Sequence, residues 1–140
     1  MPKRICVIDG QGGGIGATLI KYLKEAFGEK VELIALGTNA IATIQMLKAG
    51  ANRGASGENA VCRMVMMTDF VVGPIAISWA NAMHGEVTPK MAEAVMLSPA
   101  NKFFIPLYQE RVEIVGIAKE PLPHLVQEVV KKMKEVISDV

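Results

Sequence analysis

Short apolar runs and helical patterns alternate along this chain. The first run covers residues 5–8, ends at Asp9 and is followed by five glycines within residues 10–16. Apolar side chains then recur at every fourth position: Ile15, Leu19, Leu23 and Phe27. Because strands favour short β-branched runs and helices place residues i and i+4 on one face, this stretch predicts a strand, a tight loop and a helix.

The same order of elements then repeats. Residues 31–36 form a second apolar run that ends at the turn 37–39, and a helix should begin there with Thr38 or Asn39 as its N-cap. Its predicted buried face carries three aliphatic side chains: Ile41, Ile44 and Leu47. A strand, a helix and a second strand at this spacing are typical of a βαβ unit, in which the strands run parallel.

Further elements follow, and the last pair of strands breaks the pattern. The predicted elements are a very short strand at 53–55, a helix over 56–68, a strand over 69–74 and helices over 75–83 and 90–97. The apolar runs 102–107 and 112–117 are separated by only four residues, 108–111. So short a link cannot hold a crossover helix, so we expect these two strands to pair antiparallel. A helix over 122–140 closes the chain.

We therefore expect a single α/β domain over residues 1–140. Its three layers should enclose a Rossmann-like open sheet that is mostly parallel, with an antiparallel C-terminal strand pair and a C-terminal helix. A chain of 140 residues can bury one core without disulfides or a metal ion. Its two cysteines, Cys6 and Cys62, lack the spacing of a zinc site or a redox pair, so we interpret them as buried thiols and predict no metal site.

Composition and charge narrow the range of partners. Hydrophobic residues make up 51% of the chain and the mean hydropathy is +0.31, so we expect the excess apolar surface to lie in a homodimer or higher homo-oligomer. The sequence contains no run of about 18 apolar residues, so we predict no membrane span. The net charge of +1 is evenly distributed, so neither nucleic acid nor an acidic membrane is an expected partner. Residues 1–4 lead directly into a strand, which predicts a cytoplasmic protein without a signal peptide.

The glycine-rich loop is the strongest candidate binding site. Glycines let a ligand approach the main chain, and unpaired amides at the start of the next helix favour an anion, so a phosphate group is the natural ligand. The candidate residues are Gly10, Gln11, Gly12, Gly13, Gly14, Ile15 and Gly16. Two dinucleotide patterns fit them, G-x-x-x-G-x-G and G-x-G-x-x-A, whereas the Walker P-loop does not, because no Lys-Ser or Lys-Thr follows the last glycine. The alternative is that the glycines only form a tight, closely packed turn.

The residues that usually identify a nucleotide cofactor are neutral in this chain. In dinucleotide-binding proteins, an Asp or Glu at the end of the second strand holds the ribose of NAD, whereas here Thr38 and Asn39 stand there. These side chains could line the sugar end of a ligand or simply cap the helix, and a basic partner for a 2′-phosphate is found only at Arg53 on the next loop. Gly73 and Pro74 end a later strand where the ligand crevice should be. The missing acid argues against ordinary use of NAD, so the cofactor is not identified, and NAD(P) and other nucleotides stay open as candidates.

One short segment offers a proton-transfer pair. His84 and Glu86 are two residues apart in a predicted loop, and Lys90 follows near the start of the next helix. These three are the candidate catalytic residues if the protein is an enzyme. The alternative is a solvated loop histidine beside a solvated acid.

The loop from Asp9 to Gly16 is similar to that of short-chain dehydrogenases and reductases. The likeness covers only the first strand and helix. The Tyr-x-x-x-Lys pair of those enzymes is absent, because Ala26 and Val112 stand four residues after the two tyrosines. Those enzymes also carry Thr where Asp9 stands. A carboxylate here would repel phosphate unless it caps the loop amides or holds a metal ion.

A second resemblance covers nearly the whole chain. It rests on four blocks: Asp9-Gly-Gln-Gly-Gly-Gly-Ile-Gly16, Ala35-Leu-Gly-Thr-Asn39, Gly73-Pro74 and Gly85-Glu-Val-Thr-Pro-Lys-Met-Ala-Glu93. On these blocks the chain resembles a small bacterial family of Rossmann-like proteins known as a domain of unknown function. The resemblance implies a fold and a cytoplasmic bacterial setting, and it implies no reaction.

We interpret the chain as a protein that binds a nucleotide, a dinucleotide or another phosphorylated small molecule at the loop 10–16. One alternative is a nucleotide-cofactor-dependent enzyme, such as an oxidoreductase, with its chemistry near His84 and Glu86. A second alternative is an oligomeric scaffold or regulatory protein that has no ligand.

Overall fold

Five strands form an all-parallel sheet in the computed structural model, which describes residues 2–137. In chain order they are β1 (Lys3–Asp9), β2 (Val31–Gly37), β3 (Arg53–Ser56), β4 (Phe70–Pro74) and β5 (Asn101–Ile105). Their order across the sheet is β3-β2-β1-β4-β5. The three inner strands are buried along most of their length, because helices cover both faces of a parallel sheet.

Five helices cover the two faces of this sheet. They are α1 (Gly14–Phe27), α2 (Ala40–Lys48), α3 (Glu58–Met64), α4 (Pro89–Leu97) and α5 (Leu122–Ile137), and two 3-10 turns span Gly28–Lys30 and Ile75–Ser78. Helices α1, α2 and α5 pack on one face, where Val7 and Leu33 are buried. Helices α3 and α4 pack on the other face, where Ile8 and Leu36 are buried. The α/β class predicted from the sequence is therefore confirmed.

The predicted antiparallel pairing of residues 102–107 with 112–117 is wrong. β5 is a parallel edge strand that pairs only with β4 among the described residues, and residues 106–121 form neither helix nor strand. Pro106 lacks the amide needed to continue a ladder. Beyond it the chain turns towards the segment 79–88, where the ring of Tyr108 contacts Trp79 and the carboxylate of Glu110 accepts a hydrogen bond. These contacts carry the chain away from β5.

The predicted buried face of α2 is also wrong. Ile41, Ile44 and Leu47 are 64%, 48% and 39% exposed, and the buried residues of this helix are Ala42, Thr43 and Met46. The reason is the close approach of α2 to the glycine-rich loop. A Cβ atom at Gly13 would lie only 2.8 Å from the Cα of Ala42, so a small residue is required at position 42, and the next turn of the helix places Met46 against Gly16. Three aliphatic side chains are left on the surface.

Three other predicted helices differ from their expected bounds. The helix expected over 56–68 is shorter, Glu58–Met64, because Ser56 belongs to β3. In place of a helix over 75–83, the chain forms the 3-10 turn Ile75–Ser78 followed by a series of tight turns. The C-terminal helix is observed as Leu122–Ile137, and the remaining residues of its predicted range, 138–140, lie outside the described part. No helix within residues 2–137 combines the length and apolar character that crossing a membrane requires.

Candidate functional site

The glycine-rich loop lies where the connections of the sheet change direction. β2 and β4 flank β1, so the crevice between the carboxyl ends of β1 and β4 is the switch point at which open α/β sheets bind ligands. The loop turns sharply, because Gln11 and Gly13 have left-handed backbones with φ of 50° and 76°. The amide of Gly13 donates to the carbonyl of Gly10 over 2.9 Å and closes the turn.

Asp9 caps the loop from inside. Its side chain is buried, and its two oxygens accept hydrogen bonds from the amides of Gly10 at 2.8 Å and Gly16 at 2.7 Å. Burial raises the pKa of Asp9 above its ordinary value of 3.8, and the hydrogen bonds from Gly16 and Gly10 offset part of that rise. Of the two roles considered for this carboxylate, the geometry is that of a cap. Within residues 2–137, no three His, Cys, Asp or Glu side chains are placed to hold a metal ion.

Glu86 reaches the same loop from a distant part of the chain. Its Oε1 atom accepts three hydrogen bonds: from the amide of Gln11 at 2.8 Å, from Oγ1 of Thr38 at 2.7 Å and from Nδ2 of Asn39 at 2.7 Å. Partial burial raises the pKa of Glu86, but these hydrogen bonds outweigh burial, so the pKa lies below its ordinary value of 4.5. The carboxylate thus ties the loop to the end of β2.

The segment that carries Glu86 has an unusual backbone. Four of its residues have left-handed φ values: Asn81 (69°), Met83 (56°), His84 (56°) and Gly85 (91°). For residues other than glycine, such a conformation costs about 1–3 kcal/mol. Two contacts hold the segment in place. The amide of Met83 donates to Glu110 at 2.9 Å, and the rings of Trp79 and Tyr108 meet edge to face with centroids 5.0 Å apart.

A cavity of about 360 Å³ opens beside the glycine-rich loop on its β4 side. Residues 9–15 form one wall, and the rest is formed by Pro74, Ala76, Met83 and residues 107–110. This volume lies in the lower part of the range of about 300–1,000 Å³ that is usual for small-molecule sites. In the described part of the chain, the lining contains two carboxylates, from Asp9 and Glu110, and no lysine, arginine or histidine.

Two amides of the loop have no acceptor in the described part of the chain. Gly12 and Gly14 are exposed, and no acceptor among residues 2–137 takes their N–H groups. Asp9 and Glu86 already occupy three other amides of the loop. α1, which is 14 residues long, adds the positive end of its dipole at this point. The arrangement can therefore hold one anionic group.

The structure places the predicted site residues in three groups. Those that line the cavity are Gly10, Gln11, Gly12, Gly13, Gly14, Ile15 and Pro74. Four others lie within the packing around the cavity: Gly16, Gly73, Thr38 and Asn39. Gly16 lies next to Asp9, and Gly73 lies next to the carbonyl of Ile8. Thr38 and Asn39 donate hydrogen bonds to Glu86. His84 and Lys90 are exposed and do not line the cavity.

The far wall of the cavity contains residues that sequence reasoning missed. They are Ala76, Met83, Leu107, Tyr108, Gln109 and Glu110. The four-residue link 108–111 drew attention to this stretch, but its pattern predicts a hairpin turn. Only the contacts between residues far apart in the chain bring it to the glycine-rich loop.

Comparison with known proteins supplies a family and two solved structures. Residues 4–138 match the family described as "Domain of unknown function (DUF3842)", which confirms the resemblance that covers nearly the whole chain. No curated protein sequence matches the chain. The likeness of the loop to short-chain dehydrogenases is not tested by these findings and stays a prediction.

Both solved structures are distant. A universal stress protein in complex with cAMP is 16% identical over 75% of this chain and 98% of its own, with a TM-score of 0.44. A dodecameric FMN-dependent UbiX-like decarboxylase from Escherichia coli O157:H7 is 15% identical over 97% of this chain and 94% of its own, also with a TM-score of 0.44. Similarity at this level carries no argument about a ligand.

Gly13 and Gly14 should respond differently to alanine. Gly13→Ala should lower the free energy of unfolding by at least about 2 kcal/mol, because it forces a left-handed alanine and places a Cβ 2.8 Å from the Cα of Ala42. Gly14→Ala is the matched control, since a Cβ there meets nothing within 4 Å and helices favour alanine over glycine. Urea unfolding of both variants measures the difference, and equal losses would contradict this assignment.

The pH dependence of stability should reveal Glu86. Its folded pKa is lower than its unfolded pKa, so its contribution to stability is complete above the ordinary value of 4.5 and is lost as the pH falls through the folded pKa. We therefore expect the wild type to lose more stability than Glu86→Gln between neutral and acidic pH. The raised pKa of Asp9 changes the stability in the opposite direction as the pH falls. Its main cause is burial, which is present in both the wild type and Glu86→Gln. Chemical denaturation at several pH values tests this, and parallel curves would contradict it.

Proposed function

We propose a function from the site itself, because the chain belongs to the DUF3842 family, and a family described as a domain of unknown function implies no reaction. The protein binds a phosphorylated small molecule of mononucleotide size in the cavity beside the glycine-rich loop. Its phosphate group is held by the amides of Gly12 and Gly14, and the rest of the ligand lies against Pro74 and the far wall.

One observation carries this proposal. The free amides of Gly12 and Gly14, at the positive end of α1, border a cavity at the switch point of a parallel sheet. Helix N-termini with glycine loops are common phosphate sites, and switch points are the usual ligand sites of this architecture. A loop whose glycines served packing alone would not need residues 12 and 14 to be glycine, because a Cβ at either position meets nothing within 4 Å.

The charges around the cavity limit the ligand to a low negative charge. No lysine or arginine among the described residues lines the cavity, and Asp9 and Glu110 add carboxylates to its walls. Two amides and a helix dipole can stabilise a single phosphate, whereas a triphosphate would need a cationic side chain or a metal ion. A monophosphate is therefore favoured over ATP.

The far wall favours a flat or apolar group on the other end of the ligand. Met83, Leu107 and Tyr108 present aliphatic and aromatic surface to the cavity. Such surfaces stabilise rings by burial and stacking. A nucleoside or flavin monophosphate combines this ring with the single phosphate that the loop can accept.

A ligand panel tests the proposal. We expect AMP, FMN or a sugar monophosphate to raise the melting temperature of the wild type, because ligand at about a hundred times its Kd stabilises the fold by about 2.7 kcal/mol. ATP should have less effect than AMP. Gly14→Asp should remove the response, since its carboxylate lies at the amide that the phosphate needs.

The control for this panel is Gly14→Asn, which has the same shape without the charge. Gly14→Asp should itself stay folded, because an acidic residue in the first turn suits the helix dipole. Loss of binding in Gly14→Asp with retention in Gly14→Asn locates an anion at this loop. A wild type that none of the monophosphates shifts would contradict the proposal.

We also propose that the chain self-associates through α2. The exposed aliphatic side chains of Ile41, Ile44 and Leu47 form a patch on one side of this helix, next to the edge strand β3. The patch is uncharged, so a second copy of the same patch is a suitable partner across a two-fold axis.

Light scattering of two variants tests the α2 patch. The wild type should have the mass of a dimer or higher oligomer, and Ile44→Glu should lower it towards the monomer, because a buried unpaired charge opposes association. Val115→Glu is the control, since Val115 is 94% exposed on the irregular segment after β5. A wild type that is monomeric at all concentrations would rule out this interface.

A further inference from the structure

The position of Glu86 coincides with the part of the fold that normally receives a second nucleotide. In dinucleotide-binding sheets of this order, the loop after β1 holds the pyrophosphate and the end of β2 holds the ribose of the adenosine half. In this protein one carboxylate oxygen accepts hydrogen bonds from both places. Its donors are the Gln11 amide on the loop, and Thr38 and Asn39 after β2.

The cavity ends where this carboxylate begins. Its lining comes from the glycine-rich loop, the end of β4, Met83 and the residues after β5, and it includes neither Thr38 nor Asn39. This cavity therefore lies in the half of the crevice towards β4. In the half towards β2, Glu86 accepts hydrogen bonds from the loop and from the side chains of Thr38 and Asn39. Gly10 marks the contact, because a Cβ there would meet the side chains of Thr38 at 2.5 Å, Met83 at 2.6 Å and Glu86 at 3.1 Å.

The backbone close to Glu86 is strained, and contacts within the protein hold it in this conformation. Asn81, Met83 and His84 have left-handed φ values, which are unfavourable for residues with side chains. An ordinary loop between a 3-10 turn and α4 needs no such conformations. The contacts that compensate for them include the three hydrogen bonds of Glu86 and the one from Met83 to Glu110.

From these observations we infer that Glu86 sets the size of the ligand by occupying the dinucleotide half of the site. Its carboxylate takes the donors that a pyrophosphate and a second ribose would use, and its negative charge repels a phosphate from the Gln11 amide. A mononucleotide binds on the β4 side, and a dinucleotide is excluded. This inference rests on the proposed function, since it concerns the same loop and cavity.

A different role for Glu86 is as the ribose-binding acid that the end of β2 lacks. Its geometry disfavours this role. All three hydrogen bonds go to Oε1, and Oε2 accepts none among residues 2–137. The ribose role is disfavoured because a carboxylate on the Gln11 amide competes with the pyrophosphate that would accompany the ribose. The two roles predict opposite effects of removing the carboxylate.

The experiment measures NAD and AMP binding by titration calorimetry to the wild type, Glu86→Ala and Glu86→Gln. Glu86→Ala should raise the affinity for NAD by at least about tenfold, because it removes both the charge and the bulk. Glu86→Gln should raise it by a smaller factor, because it removes only the charge. The affinity for AMP should change much less than that for NAD in both variants.

The matched control is Glu93→Ala, which removes an exposed carboxylate of α4 outside the cavity and should leave both affinities unchanged. Circular dichroism establishes that each variant is folded, and Glu86→Gln keeps the test valid if Glu86→Ala does not fold. An NAD affinity that stays the same or falls in the folded variants overturns the inference, and a fall assigns the ribose-binding role. A wild type that binds no monophosphate overturns the proposed function instead, and Glu86 is then judged by the NAD titrations alone.

Discussion

The structure of the site depends on one constraint, which is that the amides of the glycine-rich loop need acceptors. A strand that passes through a tight loop into a helix leaves several N–H groups unpaired, and buried ones must find a partner. Asp9 takes two of them and Glu86 takes a third. The protein therefore supplies anions of its own to three amides of the loop. Whatever binds there must use the part that these two carboxylates leave free.

The carboxylate of Glu86 also links the glycine-rich loop to the segment 79–88. Glu86 lies three residues after Met83, which lines the cavity and donates its amide to Glu110. Tyr108, on the same wall, packs against Trp79 at the start of the strained segment. The segment 79–88 and the residues 107–110 therefore form one connected wall.

The sequence predicted those features that depend on neighbouring residues. Periodicity and turn residues indicated β1, α1, β2 and α4, because strand runs and helix faces are local signals. The sequence predicted the wrong face for α2, because the choice between Ile44 and Met46 depends on how closely the helix approaches Gly13 and Gly16. The pairing of β5 failed for the same kind of reason. Residues 107–110 are directed by contacts with Trp79 and Met83, which no local pattern contains.

The same distinction explains how Glu86 was interpreted from the sequence. Next to His84, it suggested a proton-transfer pair, whereas its contacts lie 47, 48 and 75 positions away in the chain. The neutral residues Thr38 and Asn39 were the useful signal, because they showed that the usual acid was missing from the end of β2. A carboxylate does stand beside them in the folded protein, and it comes from another segment.

That difference in origin changes what the acid can do. An acid at the end of β2 extends from the strand towards a ligand and has its lone pairs free for a ribose. The carboxylate of Glu86 comes from the segment 79–88, and its Oε1 atom accepts hydrogen bonds from the protein's own donors. A carboxylate near the end of β2 therefore accepts hydrogen bonds from the protein itself, whereas the acid of a dinucleotide-binding protein binds the ribose of the cofactor. A Rossmann-like sheet and a glycine-rich loop consequently do not by themselves identify a dinucleotide-binding protein, because function depends on which donors and acceptors remain free.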